Sequence, residues 1–262
     1  MLVAGCDVGS LTAKAVILSD GKILSQAVRR ANSRPEESAK EIMDLALADA
    51  GLAFSDLAYV IGTGYGRRQI SFVNEVVSEI VCHGKAAQWL NPSVRMVIDV
   101  GGQDAKAILV DENGSVVRYV YNDKCASGTG RFLEIMAEAL EVPLGELGEQ
   151  ATISQNPVSI SNQCTVFAET EVVSLLNNGK AIPDIASGLM RAMAHRIAAL
   201  AKSIGLEPEI AMSGGVAKNQ GMFSALEEVL GLKIMRLEGD PQINGALGAA
   251  LLAEEAMRKT VS

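Results

Sequence analysis

One pattern is written twice in this chain. The segments MLVAGCDVGSLTAKAVILSDGKILSQAV, from Met1, and MVIDVGGQDAKAILVDENGSVVRYVY, from Met96, begin about 90 residues apart. Each runs as an apolar strand, an aspartate, a glycine-containing turn, a second apolar strand, a turn (Asp20-Gly21 or Asn113-Gly114) and a third strand. A helix is expected after each unit, from Pro35 to Ala50 and from Gly128 to Leu140. A repeated strands-then-helix unit folds as two similar α/β lobes rather than as a bundle or an all-β barrel.

Asn91-Pro92 is the clearest break between them, since the residue before a proline avoids helical geometry. The division is therefore residues 1–92, an N-terminal lobe; residues 93–243, a C-terminal lobe; and residues 244–262, a final helix that crosses back to the first lobe. A helix from Ala186 to Ile204 presents Leu189, Met193, Ile197 and Leu200 on one face, with His195 read as a solvated helix residue. The last helix, from Asn244 to Arg258, opens with Gly245, Ala246, Gly248, Ala249 and Ala250, small residues that permit a close crossing.

Composition narrows the function. With 48% hydrophobic residues among 262 the chain can bury a sizeable core. A net charge of −8 and the absence of any basic tract argue against nucleic acid or an anionic membrane as the partner. No run of 18 apolar residues is present to span a bilayer. Four cysteines, at positions 6, 82, 125 and 164, are too few and too scattered for a disulfide scaffold, so a reducing, cytoplasmic setting is expected.

The turns carry chemistry. In Asp7-Val8-Gly9-Ser10-Leu11-Thr12, glycine permits close approach of an anion, Ser10 and Thr12 donate hydrogen bonds, and Asp7 can hold a hydrated divalent cation. Asp99-Val100-Gly101-Gly102-Gln103-Asp104 repeats that arrangement. Either turn alone reads equally as a plain hairpin; the matched pair points to nucleotide phosphates and Mg²⁺. A third glycine cluster, Ser213-Gly214-Gly215 through Lys218-Asn219, follows an apolar segment and precedes a helix, where it is either an adenosine cradle or a tight connection.

Two cysteines stand before helix starts: Cys125 in NDKCASGTGRF, with Ser127 or Thr129 as the cap, and Cys164 in NQCTVFAETEV. Helix N-termini stabilise thiolates. A 4Fe-4S cluster takes four thiolates, and two chains would supply them two by two across a symmetric interface. Cys6 and Cys82 read as buried small hydrophobes.

The two phosphate turns, the glycine cluster and the Asn244-Gly245-Ala246-Leu247-Gly248 helix start, in that order, resemble the acetate and sugar kinase, heat-shock chaperone and actin superfamily. That resemblance implies two ribonuclease-H-like lobes with ATP in the cleft between them. The stretches DVGSLTAKAVI, DVGGQDAKAI, NDKCASGTGRF, NQCTVFAETEV and SGGVAKN resemble more specifically the ATP-dependent activators of 2-hydroxyacyl-CoA dehydratases and the related ATPase subunits of benzoyl-CoA reductases. The resemblance implies a homodimer with one 4Fe-4S cluster bridged by Cys125 and Cys164, an electron taken from ferredoxin or flavodoxin, and delivery to a dehydratase. It assigns Asp7 and Asp99 to Mg²⁺. It gives Gly9, Ser10, Thr12, Gly101 and Gly102 to the phosphates, and Gly214 and Gly215 to the adenosine. Lys14, Asp104, Gly128, Gly130, Ser213 and Lys218 are grouped with them as contacts to the bound cofactors. Gln103 is the first candidate to orient the hydrolytic water, Asp104 and Glu171 are read either as its assistants or, the first reading for each, as ordinary solvated acids, and Lys106 and Lys218 are placed either near phosphates or on the surface. Ala13 departs from a hydroxyl often found there in the family. The rival readings are a benzoyl-CoA reductase ATPase subunit and a small-molecule, amino-sugar-type kinase on the same fold.

Overall fold

The computed structural model describes residues 1–161 and 164–261 of the chain. Its strands are β1 (Leu2–Val8), β2 (Thr12–Ser19), β3 (Lys22–Arg30), β4 (Tyr59–Thr63), β5 (Glu75–Val76), β6 (Met96–Val100), β7 (Ala105–Val110), β8 (Val116–Asn122), β9 (Ile210–Ser213) and β10 (Ile234–Met235). The helices are α1 (Pro35–Ala50), α2 (Glu79–Leu90), α3 (Gly130–Ala139), α4 (Leu144–Thr152), α5 (Thr165–Asn177), α6 (Ile182–Lys202), α7 (Gln220–Leu230) and α8 (Asn244–Val261). They form two compact units, one of residues 1–95, 109–117 and 237–262, the other of residues 96–108 and 118–236.

The first unit holds the sheet β3-β2-β1-β4-β5, in which β1–β2 and β2–β3 are antiparallel and β1–β4 and β4–β5 parallel. Asp20 and Gly21, at φ of 49° and 72°, make the β2–β3 turn, the left-handed pair that a two-residue hairpin favours. Both faces of β1 and β2 are buried, so their side chains alternate between two cores. Ala4, Cys6, Ala15 and Ile17 meet Ala39, Ile42, Met43 and Ala46 of α1. Val3, Val16 and Leu18 meet Cys82 and Ala86 of α2 and Ala246, Leu247 and Ala250 of α8. Helix α1 starts on Pro35 and stops at Gly51, which takes the left-handed conformation and closes onto the carbonyls of Ala48 and Leu47.

The small residues of α8 work as a close-packing strip. A side chain at Gly5 would overlap the Ala246 carbonyl, and one at Gly248 would overlap the carbonyl of Cys82 on α2. Residues 109–117, which a break at Asn91-Pro92 assigns to the second lobe, belong to the first unit. Gln88 on α2 donates to the Glu112 carbonyl there, and Gly114 stands beside Gln88 and the Gly84 carbonyl.

The second unit repeats the sheet order as β10-β9-β6-β7-β8, with β6–β9 and β9–β10 parallel. Helix α6 buries Leu189, Met193 and Ile197 and leaves His195 exposed, as its periodicity predicts. It begins earlier than Ala186, at Ile182, with a proline in its first turn. Helix α3 begins at Gly130 rather than Gly128, because Ala126–Gly128 winds into a separate 3-10 turn.

Candidate functional site

Each unit builds the same constellation at the end of its first strand. In the first, the Gly9 N–H donates to the Thr12 carbonyl at 3.0 Å; in the second, the Gly101 N–H donates to the Asp104 carbonyl at 2.9 Å. Those glycine amides close the turns on themselves. Ser10 and Thr12 are half-buried and Gln103 is exposed at the tip of its turn.

Behind each turn an aspartate is buried against a lysine. Asp7 and Lys14 face each other in the β1–β2 register, with Lys14 Nζ 3.1 Å from Asp7 Oδ2. In the second unit Lys106 Nζ lies 2.6 Å from Asp104 Oδ2 and 3.4 Å from Asp99 Oδ2, and all three residues are buried. Asp104 is therefore a buried, ion-paired acid rather than a solvated one, and Lys106 is not a surface residue. The signal was present in the chain: each aspartate is followed seven residues later by a lysine.

A hydroxyl and a glycine complete both constellations. Ser213, fully buried, stands opposite Asp99 in the β6–β9 register, and its Oγ donates to Asp99 Oδ1 at 2.9 Å. Gly214 follows at φ 86°, where a side chain would overlap the Val100 carbonyl and approach Asp99 Oδ1 to 2.8 Å. The first unit has the counterpart that sequence reading misses: buried Thr63 stands opposite Asp7, and Gly64, also at φ 86°, packs on the Asp7 carboxylate and the Val8 carbonyl. Backbone can approach a carboxylate this closely only without Cβ. Gly215 and Lys218 are exposed in the short 3-10 turn that follows, and Asn219 caps α7 by accepting from the Met222 N–H at 2.8 Å.

The first constellation extends to the start of α8. A side chain at Gly245 would stand 2.6 Å from Asp7 Oδ2 and 3.4 Å from His83 Nε2, and Asn244 beside it is buried with neither amide atom hydrogen-bonded. The sequence marked the helix start at Asn244 but not its unpaired buried amide, and it did not mark His83.

Cys125 sits at the N-cap of the 3-10 turn Ala126–Gly128, half-buried. Asn122 fastens the loop by donating from Nδ2 to the Cys125 carbonyl at 2.9 Å and accepting from the Cys125 N–H at 3.3 Å. Its Sγ lies 3.1 Å from Ser127 Oγ and accepts from Arg196 at 3.3 Å. The Ser127 hydroxyl first, then its N–H and the Arg196 charge, hold the thiol below its ordinary range, against the opposing effect of partial burial. Thr129 holds the N-cap position of α3, but its Oγ1 donates back to the Ala126 carbonyl at 2.8 Å. The first donors of α3 are satisfied elsewhere: Gly130 and Arg131 donate to the carbonyls of Gly101 and Gly102, each at 2.8 Å. A Cβ on Gly130 would press to 3.1 Å from the Gly101 carbonyl, whereas one at Gly128 would meet nothing closer than 3.9 Å. The Gly101-Gly102 turn is thus stapled to the helix that follows the cysteine.

Cys164 is exposed at the N-cap of α5, where Ser161 reaches across from the preceding loop to donate twice to Glu171 Oε1, at 2.9 Å each. Asn162 and Gln163 of its motif lie outside the described residues. Cys6 and Cys82 are fully buried, and burial pushes the Cys82 thiol up to about 12. Among the described residues, no three His, Cys, Asp or Glu side chains cluster as a metal site. One chain therefore offers two solvent-accessible cysteine sulfurs, Cys125 and Cys164, and single carboxylates to a cation. That sparse set suits Mg²⁺, which keeps most of its shell as water and phosphate.

The family profile described as "BadF/BadG/BcrA/BcrD ATPase family" matches residues 4–253. An activator of lactoyl-CoA dehydratase from Anaerotignum propionicum is 44% identical over 99% of this chain and 100% of its own length. The (R)-2-hydroxyglutaryl-CoA dehydratase activating ATPase of Acidaminococcus fermentans is also 44% identical, over 97% of this chain and 98% of its own. The solved activator of the 2-hydroxyisocaproyl-CoA dehydratase from Clostridium difficile, with bound ADPNP, superimposes with a TM-score of 0.95 at 39% identity, covering 99% of this chain and 97% of that one. A glucokinase of the ROK family from Streptomyces griseus, at TM-score 0.59 and 15% identity over 97% of this chain and 100% of its own, shares the fold alone.

Proposed function

Because the chain belongs to the BadF/BadG/BcrA/BcrD ATPase family, we propose that it is the ATP-driven activator of a 2-hydroxyacyl-CoA dehydratase, working as a homodimer that carries one 4Fe-4S cluster. The observation that carries the reading is the staple between Gly101-Gly102 and Gly130-Arg131, which runs from a phosphate turn to the Cys125 loop within one unit. A nucleotide that shifts this turn draws on the acceptors that cap α3, and so bears on the sulfur next in line.

Each residue has a stated task. Gly9, Ser10, Thr12, Gly101 and Gly102 face nucleotide phosphates, and Asp7 and Asp99 hold hydrated Mg²⁺, with Lys14 and Lys106 ion-paired to those carboxylates. Ser213 fixes the rotamer of Asp99, and Gly214 and Gly215 leave room for the adenosine. Gln103, exposed at its turn, orients the hydrolytic water.

Cys125 and Cys164 each contribute one ligand, and the second copy contributes the same pair. The cluster supplies a one-electron carrier, loaded by ferredoxin or flavodoxin. Exposed Val166 and Phe167, one turn from Cys164, give the second copy an apolar landing surface. A cytoplasmic, anaerobic setting goes with such an exposed cluster. Among the described residues no helix is long and apolar enough to cross a membrane. The full-length relatives at 44% identity favour a dehydratase activator over a small-molecule kinase or a benzoyl-CoA reductase subunit.

The test is anaerobic purification with iron, acid-labile sulfide and visible-absorption analysis of wild type, Cys125→Ser and Cys164→Ser. About four irons per dimer, lost in both variants, is the expected result. An iron-free wild type that still turns over ATP would sink the cluster and leave a kinase as the better reading.

A further inference from the structure

We infer that Arg196 tunes the reduction potential of the 4Fe-4S cluster by donating a charged hydrogen bond to the sulfur of Cys125. The inference rests on the cluster reading proposed above, in which Cys125 is a ligand. Arg196 projects from α6, a helix of 21 residues whose other face is locked into the core by Leu189, Met193 and Ile197. Its guanidinium Nη2 stands 3.3 Å from Cys125 Sγ. On the other side the Ser127 hydroxyl lies 3.1 Å from the same sulfur, and Asn122 grips the backbone of Cys125 through two hydrogen bonds. The sulfur is thus held between a hydroxyl and a fixed cation.

The physical consequence has a definite sign. A cluster with four thiolates is an anion in both states and gains one further negative charge when it accepts an electron. A guanidinium at a ligand sulfur stabilises the reduced state more than the oxidised one, and hydrogen bonds to the sulfurs are among the main determinants of cluster potential. In the homodimer the effect is present twice, once from each copy. Arg196 is a positioning and tuning residue. It holds no electron itself, and the electron in each half-reaction comes from the reductant and resides on the cluster irons.

The experiment is an anaerobic redox titration of the cluster, followed by EPR, in the full-length dimer of wild type and of Arg196→Leu, Arg196→Gln and Arg196→Lys. Iron content is measured on each sample. Arg196→Leu and Arg196→Gln are expected to be about tenfold harder to reduce at a fixed poise, a fall of about 59 mV for one electron. Arg196→Lys, which keeps the charge, is expected to stay near wild type.

Full iron content with an unshifted potential in Arg196→Leu and Arg196→Gln overturns the inference and leaves the cluster reading standing. If Arg196→Leu alone loses iron, the comparison of Arg196→Gln with Arg196→Lys decides, and equal potentials there overturn it. An iron-free wild type removes the cluster reading itself, and this inference with it.

Discussion

Lys106→Met is the sharpest probe of the buried constellation. The ammonium lies 2.6 Å from Asp104 and 3.4 Å from Asp99, and all three side chains are less than a tenth exposed. Removing one partner of a buried ion pair strands charge in a poorly solvated place, at a cost of about 3–5 kcal/mol. For a chain of this size that corresponds to a fall of roughly 6–20 °C in melting temperature. The equivalent change in the first unit, Lys14→Met, strips a cation from Asp7, and Lys14 is itself 12% exposed, so its loss is expected to be smaller. Urea unfolding followed by circular dichroism, with m compared across variants, reads both. A second substitution gives the cause away: Asp104→Asn added to Lys106→Met removes one of the stranded charges and is expected to recover part of the stability. A Lys106→Met protein within 1 kcal/mol of wild type, or a double variant less stable than the single, would refute the account of these carboxylates as buried and ion-paired to Lys106.

Gly248→Ala sets helix propensity against packing. Alanine gains about 1 kcal/mol inside a helix, but its Cβ would overlap the backbone of Cys82, which cannot swing aside, so a net loss of about 1–3 kcal/mol is expected by thermal melt; a stabilised variant would contradict the α2–α8 crossing. Thiol labelling of native, iron-free protein should show two fast cysteines, Cys125 and Cys164, and two that react only on unfolding, Cys6 and Cys82, as peptide mapping of the adducts would establish. Glu36 accepts from Ser71 and Lys40, which pull its carboxyl down to about 2. Its folded value is the lower one, so its stabilising contribution is complete above the ordinary carboxylate range and fades as pH falls towards about 2. Glu36→Gln should flatten that part of the acid-unfolding curve, and an unchanged curve would count against it.

The duplication was legible in the chain because three strands and their turns repeat in local pattern, and α1 was legible to the residue because Pro35 and Gly51 bracket it. What escaped depends on which strands the fold lays side by side. Lys14 and Asp7 pair only once the hairpin register sets them opposite each other, and Thr63-Gly64 matches Ser213-Gly214 only once each fourth strand lies beside its aspartate. The start of α3 was placed two residues early. Its first donors are answered by the Gly101 and Gly102 carbonyls rather than by a local serine or threonine, so the hydroxyls of the NDKCASGTGRF motif were no guide to it. Arg196 carried no signal at all, being one of two arginines in an amphipathic helix and 71 residues from Cys125.

The interleaving of the chain has a consequence for how it is born. The second unit is nearly continuous, residues 96–236 apart from one hairpin tip, so it has almost all its parts once residue 236 has left the ribosome. The first unit does not. The face of β1 that carries Val3 and Gly5 packs on Ala246, Leu247 and Ala250, which follow the whole of the second unit along the chain. Until α8 arrives that face stays open to solvent, and β1 waits through the synthesis of the entire second unit for its cover.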